Sequence, residues 1–312
     1  MIQKMKRPRT LPALCCLLFA AVLLTGCRTA TPVAAKVDDV PTVPVKTGRF
    51  EEDIEGFRTS VLAFVPEDYD PEKAYGLVIF LHGTGMSGAR MVSKTPIDKI
   101  HEAGYILLAP TSNYPRWGVG ERGDGDARKS ELMHLRRMIE AFEDTYNIDP
   151  HCVHTVGFSI GTVLLAHGIG FFEEWDGLKI RSMMGFSGGL TGEVVPAKAS
   201  RADETAIWVL NGEKDRAHTA GYRTIYQAFR QGGYEARISE PRGLGHEFPL
   251  IPYESMIDWW RELDGDRIQH VSPEVDFRRR KKEAVLVMRE KRFDKAQDLL
   301  LQLLKEEPED AQ

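Results

Sequence analysis

Short apolar runs alternate with amphipathic stretches along most of this chain. Leu77–Leu81 and Ala206–Leu210 are continuously apolar, as is typical of strands that are buried on both faces. Between Ala127 and Tyr146 the apolar residues recur at helical spacing instead. Strands that alternate with helices predict an α/β fold with a doubly wound, mainly parallel sheet.

The same pattern gives approximate bounds for the elements. Polar loops separate the elements, and the longest of them is the irregular stretch Ser112–Asp126. We expect strands at Ser60–Val65, Gly76–Leu81, Tyr105–Ala109, Val153–Val156, Ile180–Phe186, Thr205–Leu210 and Glu235–Ser239. We expect helices at Ser93–Ala103, Ala127–Tyr146, Ala220–Gln231 and Tyr253–Leu263. Together they predict one α/β domain over residues 55–268.

The N-terminus has the pattern of a secretion signal, which we assign to residues 1–26. Basic residues through Arg9 precede the apolar run Leu11–Leu24, which is too short for a membrane-spanning helix. The run ends in Leu24-Thr25-Gly26-Cys27, which resembles the bacterial lipobox, in which the cysteine becomes lipidated. An ordinary signal peptide with an incidental cysteine is the alternative. We expect residues 27–54 to be a flexible tether, and the protein to be a membrane-anchored lipoprotein of a bacterial cell envelope, facing the periplasm or exterior.

Charge and cysteine content narrow the choice of partners. The formal net charge is −5, and Arg278–Lys282 is the only basic cluster outside the signal, so nucleic acid is not an expected partner. Of the four cysteines, Cys15 and Cys16 belong to the signal and Cys27 to the lipid anchor. Cys152 is left alone, so no intramolecular disulfide is expected.

The pentapeptide Gly157-Phe158-Ser159-Ile160-Gly161 has the form G-x-S-x-G between a predicted strand and a predicted helix. This is the context in which a sharp turn exposes a nucleophilic serine. A second G-x-S-x-G contains Ser187, but Gly188, Gly189 and Gly192 follow it where a helix would have to begin. We therefore predict Ser159 as the nucleophile and expect Ser187 to line the pocket.

Two further loops carry candidate partners for Ser159. Asp215 follows the strand Thr205–Leu210, and His246 lies between the next strand and the last helix. Serine, acid and histidine in this chain order predict a catalytic triad in which His246 is the base and Asp215 orients it. Glu213 remains an alternative acid. We expect His218 to border the pocket or to cap the following helix.

The loop after the strand Gly76–Leu81 is the candidate source of an oxyanion hole. We predict that the backbone N–H groups of Thr84 and Ile160 bind the oxyanion, and that His82 orients the loop beside the pocket. Trp117 is a candidate pocket-lining residue in the long loop. Asp124-Gly125-Asp126 offers too few oxygen ligands for calcium. We expect no metal and no cofactor.

From these motifs the segment resembles the α/β-hydrolase superfamily, in particular dienelactone hydrolases, polyhydroxybutyrate depolymerases and carboxylesterases. The matching pieces are Leu81-His82-Gly83, Tyr146-Asn147-Ile148-Asp149-Pro150, the Ser159 pentapeptide, Asn211-Gly212-Glu213-Lys214-Asp215 and Gly245-His246. The resemblance implies hydrolysis of carboxylic esters, small or polymeric, through an acyl-enzyme and without a cofactor. A serine peptidase of the same fold is one alternative. A non-catalytic binding lipoprotein is another, and reaction with a serine-directed probe would separate it from an enzyme.

The C-terminal segment, residues 269–312, is charged and rich in helix-forming residues. One tetratricopeptide repeat, which is a pair of helices, is resembled by the spacing of Ala284, Phe293, Ala296, Leu300, Leu303 and Pro308. An amphipathic hairpin packed on the domain is the alternative. Because one repeat cannot bury its own apolar face, we expect these helices to contact the domain or a protein partner.

Overall fold

The computed structural model describes residues 45–119, 125–173, 179–189, 204–268, 281, 288 and 293–305. The predicted signal, residues 27–44 of the predicted tether with Cys27, and all of residues 269–292 except 281 and 288 lie outside these ranges. The described residues belong to one compact unit, Pro44–Gln312. Across the ranges given above, no helix combines the length and the apolar character needed to cross a membrane.

An eight-stranded sheet forms the centre of the molecule. Its strands lie side by side in the order β1-β2-β4-β3-β5-β6-β7-β8. From β4 to β8 every pairing is parallel, whereas β2 pairs antiparallel with both β1 and β4. The strands are β1 Gly48–Glu52, β2 Val61–Val65, β3 Tyr75–Leu81, β4 Tyr105–Ala109, β5 Ile148–Phe158, β6 Ser182–Phe186, β7 Ala206–Leu210 and β8 Glu235–Ser239.

Helices cover both faces of the sheet, and each face has its own apolar core. Along β3, Leu77 and Ile79 belong to one core and Val78 and Phe80 to the other, because successive side chains of a strand point to opposite faces. The first core packs against α3, α4 and α5, and the second against α1, α2 and α6. The helices are α1 Gly88–Met91, α2 Ile97–Glu102, α3 Gly125–Thr145, α4 Ile160–Glu173, α5 Thr219–Gln231, α6 Tyr253–Asp264 and α7 Phe293–Lys305. The predicted fold class is confirmed.

The N-terminal boundary and one helix differ from the sequence prediction. Gly48–Glu52, which we assigned to the tether, is strand β1 in register with β2. Its side chains alternate between half-buried and exposed, so it lacks the continuous apolar run that marks the central strands. The helix predicted at Ser93–Ala103 begins only at Ile97, after Pro96. A separate short helix precedes it and is capped by the Ser87 hydroxyl, which accepts from the Arg90 N–H.

A buried chain of polar side chains joins α6 to the sheet. The Asp264 carboxylate lies 2.9 Å from His154 Nε2 and accepts a hydrogen bond from the Tyr105 hydroxyl at 2.7 Å. The other ring nitrogen of His154 lies 2.8 Å from Ser182 Oγ. Ser182, His154 and Asp264 thus form a connected serine–histidine–aspartate series. All three are buried, so we interpret them as an anchor for the last helix of the domain.

Candidate active site

The candidate site lies where the parallel strands end. Thr84 follows β3, Ser159 follows β5, Asp215 follows β7 and His246 follows β8. Parallel strands present their carboxyl ends at one edge of the sheet, which is where ligands bind in open α/β folds. The topology therefore brings the predicted site residues to the same edge.

Ser159 occupies a sharp turn between β5 and α4. Its φ is +53°, in a region that residues other than glycine seldom adopt. Its N–H donates to the Phe186 carbonyl on the neighbouring strand at 2.8 Å. A Cβ on Gly157 would lie 2.5 Å from the Thr162 nitrogen, and one on Gly161 would lie 2.4 Å from the Leu81 oxygen. Both glycines of the pentapeptide are thus required by close backbone approach.

Asp215 is shared by two histidines. One carboxylate oxygen accepts from His246 Nδ1 at 2.7 Å, and the other accepts from His218 Nδ1 at 2.8 Å. The two imidazole rings stack with their centroids 4.3 Å apart. Burial alone would raise the pKa of Asp215, but the hydrogen bonds from both histidines outweigh it and hold this pKa below its ordinary value. The carboxylate is therefore ionised at neutral pH.

Ser159 and the histidine pair are neighbours without being hydrogen-bonded. The His246 ring packs against Phe158, with centroids 5.0 Å apart, and His218 lines the same cavity as Ser159. Among the described residues, no hydrogen bond joins the Ser159 hydroxyl to either imidazole. Catalytic hydrogen bonds are often long in ligand-free sites and shorten only when substrate binds.

A cavity of about 270 Å³ opens over Ser159. Both predicted oxyanion residues reach it, because the described residues that line it are Thr84, Arg116, Ser159, Ile160, Val163, Gly189 and His218. Ile160 is the first residue of α4, whose first N–H groups have no acceptor within the helix. The loop after β3 passes close to the serine, since a Cβ on Gly83 would lie 3.3 Å from Ser159 Cβ. Two backbone segments therefore border the space where an oxyanion would form.

The second G-x-S-x-G serves packing in this structure. Ser187 has a φ of +48° and its N–H donates to the Leu210 carbonyl at 2.8 Å, so its backbone repeats the Ser159 turn one strand further on. Its side chain, however, is fully buried. A Cβ on Gly185 or Gly188 would lie within 2.4 Å or 2.3 Å of the Thr162 side chain. These glycines thus make room for α4, and Ser187 is not among the described residues that line the cavity.

His82 and Trp117 support the loops instead of lining the cavity. His82 Nδ1 donates to the Gly83 carbonyl at 2.8 Å, and His82 Nε2 accepts from the Ser112 N–H at 3.1 Å. Burial lowers the pKa of His82 despite the opposing hydrogen bond to Gly83, so the ring is neutral. Trp117 is fully buried, packs at a tilt against the His82 ring with centroids 4.8 Å apart, and donates its indole N–H to the His82 carbonyl at 2.9 Å. Both residues were predicted as possible lining, and neither is among the described lining residues.

Sequence reasoning missed two features of the site. Arg116 lines the cavity, although the sequence drew attention only to the aromatic residues of its loop. The contact of His218 with Asp215 was also missed, although their spacing of three residues was a usable signal.

Asp215, His218 and His246 also form the one group within the described ranges that could hold a metal ion. Their ligand atoms lie within 4.8 Å of one another. The hydrogen bonds from both histidines to Asp215 are sufficient to explain why the three side chains lie together. The absence of a metal remains a prediction from the sequence.

Fold and strand order define the class: the chain has the α/β-hydrolase fold. It is similar to TT1662 from Thermus thermophilus, with a TM-score of 0.53 and 18% identity over 72% of this chain and 100% of that one. It is also similar to an esterase from Rhizomucor miehei, with a TM-score of 0.52 and 14% identity over 69% of this chain and 82% of the other. No protein-family model matches the sequence, and no curated protein matches it significantly. At these identities the likeness establishes the fold alone.

Proposed function

We propose that the protein is a serine hydrolase that cleaves carboxylic esters. The observation that carries this proposal is the position of Ser159, on a strained turn in a cavity beside the Asp215–histidine pair. Strained backbone is concentrated at functional sites. The fungal protein of similar fold is an esterase, which adds support from fold-level analogy only.

In the proposed mechanism Ser159 Oγ attacks the acyl carbon of the ester while His246 Nε2 takes the hydroxyl proton. His246 Nδ1–H donates to Asp215, which fixes the tautomer and stabilises the imidazolium. The N–H groups of Thr84 and Ile160 bind the oxyanion of the tetrahedral intermediate. When this collapses, the C–O bond to the alcohol breaks and His246 returns the proton to the alcohol. Water then attacks the acyl-enzyme by the same route and releases the acid.

The location of the enzyme is a second part of the proposal and rests on the sequence. We propose that Cys27 is lipidated and that the domain is held at a membrane of the bacterial cell envelope, with its C-terminal helices available to a protein partner. Fractionation of a Cys27→Ser variant tests the anchor, because this variant should leave the membrane fraction.

The decisive experiment on the chemistry replaces the nucleophile. Ser159→Ala should lower p-nitrophenyl acetate hydrolysis by roughly 100,000-fold or more, as loss of a serine nucleophile does in other hydrolases. It should also abolish covalent labelling by a fluorophosphonate probe, while circular dichroism and thermal melting show an intact fold.

Ser187→Ala is the matched control, because Ser187 has the same turn conformation and a buried side chain. It should keep both hydrolysis and labelling. Undiminished labelling of Ser159→Ala, or loss of labelling in Ser187→Ala alone, would move the nucleophile to Ser187. If the native protein reacts with no serine-directed probe, the non-catalytic alternative is favoured instead.

A further inference from the structure

His218 directs its side chain away from the helix that it begins. It is the N-cap residue of α5, a position whose side chain often accepts hydrogen bonds from the first N–H groups of a helix, yet it makes no such bond. Its Nδ1 donates to Asp215 at 2.8 Å instead, and the residue lines the cavity that contains Ser159. Helix capping therefore does not explain where this imidazole lies.

The hydrogen bond to Asp215 determines what the His218 ring can do chemically. An ionised carboxylate only accepts hydrogen bonds, so Nδ1 carries a proton, and the neutral ring has its lone pair on Nε2. Among the described residues, none donates to this Nε2. Because Nδ1 faces Asp215, Nε2 lies on the side of the ring away from that carboxylate. His218 thus brings to the cavity an acceptor that the described part of the chain does not use.

The His218 ring is held beside the ring of His246. The two rings stack with centroids 4.3 Å apart and an angle of 21° between their planes. Both bind Asp215 through Nδ1, so both have Nε2 on the side away from the same carboxylate. The start of α5 is fixed as well, because a Cβ on Gly221 would lie 2.3 Å from Gly189 Cα. Two acceptors on adjacent, fixed rings can bind the two O–H groups of one water molecule.

We propose that His218 holds the water that attacks the acyl-enzyme and thereby favours hydrolysis over transfer of the acyl group to an alcohol. This inference rests on the proposed hydrolase function and adds a residue to its deacylation step. His246 Nε2 takes one proton of the water as the new C–O bond forms, while the other O–H donates to His218 Nε2. When the bond from the acyl carbon to Ser159 Oγ breaks, His246 returns its proton to that oxygen. His218 takes up no proton at any stage.

An alcohol cannot make the same pair of contacts. Its single O–H is the one that His246 deprotonates, and a carbon substituent replaces the hydrogen that would donate to His218. A site that hydrogen-bonds a donor group discriminates against an analogue that lacks this group. His218 should therefore stabilise the transition state for attack by water and not the one for attack by an alcohol.

Partitioning of one acyl-enzyme between water and methanol tests the proposal. With p-nitrophenyl butyrate in buffer that contains methanol, the initial ratio of methyl butyrate to butyric acid compares the two deacylation rates. This ratio does not depend on how fast the acyl-enzyme forms. His218→Phe keeps a ring beside His246 but has no acceptor, so it should raise the ratio by about five-fold, the effect of one lost hydrogen bond. His218→Gln, which retains an acceptor oxygen, should raise it less.

Thr219→Val is the matched control for a disturbed loop. Thr219 follows His218, and its hydroxyl donates to the Asp215 main-chain carbonyl at 3.1 Å, but it is not among the described residues that line the cavity. This variant should keep the native ratio. An equal rise in Thr219→Val would show a response to loop movement, and a rise in His218→Ala without one in His218→Phe would show a response to added space for methanol. Either result would overturn the role of His218.

The same assay separates failure of this inference from failure of the proposed function. Ser159-dependent release of p-nitrophenol, with equal product ratios in the native protein and His218→Phe, would refute the role of His218 and support the hydrolase. Absence of Ser159-dependent release by the native protein would refute the hydrolase and, with it, this role. Circular dichroism checks the fold of each variant. If His218→Phe does not fold, His218→Leu takes its place, because leucine also lacks an acceptor and retains bulk.

Discussion

Asp215 poses a question at the scale of single residues, because it binds two imidazoles at almost equal distances. His218 lines the cavity, whereas His246 occupies the position that the chain order predicts for the base. The two rings stack on each other and share one carboxylate, so both are candidates for the base. Substitution of each histidine in turn can decide between them.

We expect His246→Ala to lower kcat/KM for a simple ester by at least about 10,000-fold, because the general base is lost. His218→Ala should lower it by only about ten-fold, the effect of removing one hydrogen bond to a charged group while Asp215 still holds His246. Steady-state kinetics with p-nitrophenyl acetate measures both. A reversed order would identify His218 as the base.

At the scale of elements, the Asp264 cluster performs a different task from the Asp215 cluster. It links α6 to β4, β5 and β6 through Tyr105, His154 and Ser182. Its members form a serine–histidine–aspartate series, yet all are buried. We therefore expect it to contribute to stability and to have no part in catalysis.

Asp264→Ala should lower the free energy of unfolding by about 3 kcal/mol, because it leaves buried polar groups of His154 and Tyr105 without a partner. Urea unfolding measures this loss. Folded protein should still react with a fluorophosphonate at the native rate. Asp258→Ala is the control on the same helix, because Asp258 is exposed, and it should change stability by no more than about 0.5 kcal/mol. A stable but unreactive Asp264→Ala would contradict this assignment.

At the scale of the whole molecule, one buried carboxyl should shape how stability varies with pH. Burial raises the pKa of Glu131 from 4.5 to about 7, although hydrogen bonds from Tyr114 and Asn113 and the charge of Arg58 oppose the shift. His134 lies 4.0 Å away on the same helix. Between the ordinary pKa of 4.5 and the raised pKa of about 7, Glu131 binds more protons in the folded protein than in the unfolded chain. The contribution of Glu131 to stability therefore falls as pH rises from about 4.5 to about 7.

Glu131→Gln removes that titration and keeps an acceptor for the Tyr114 N–H. We compare the free energy of unfolding of the variant with that of the native protein at each pH. This difference should favour the variant more at pH 8 than at pH 4.5, by an amount on the order of 3 kcal/mol. Urea unfolding at the two pH values gives the difference. Glu140→Gln, at an exposed position of the same helix, should show little pH-dependent difference. An equal effect of Glu131→Gln at both pH values would contradict the raised pKa.

The sequence was sufficient to place the central strands and to predict that Ser159, Asp215 and His246 each follow a strand of the sheet. Strands buried on both faces leave continuous apolar runs, and parallel strands end at one edge, so these features follow from local pattern. Strand β1 was missed because only alternate side chains are half-buried. Arg116 was missed because its position depends on the contact of Trp117 with His82, which lies 35 residues away in the chain. Contacts of that range leave no periodicity to detect.

The two serine turns provide an internal comparison of what makes a hydroxyl reactive. Ser159 and Ser187 share a left-handed φ and an equivalent hydrogen bond to the next strand, but only Ser159 borders the cavity. The difference in reaction rate of the two serines with one reagent in the native protein therefore reports the effects of solvent access and of the neighbouring imidazoles, because the turn geometry is the same. The ratio of probe labelling at Ser159 to probe labelling at Ser187 would thus be independent of the backbone strain that the two turns share.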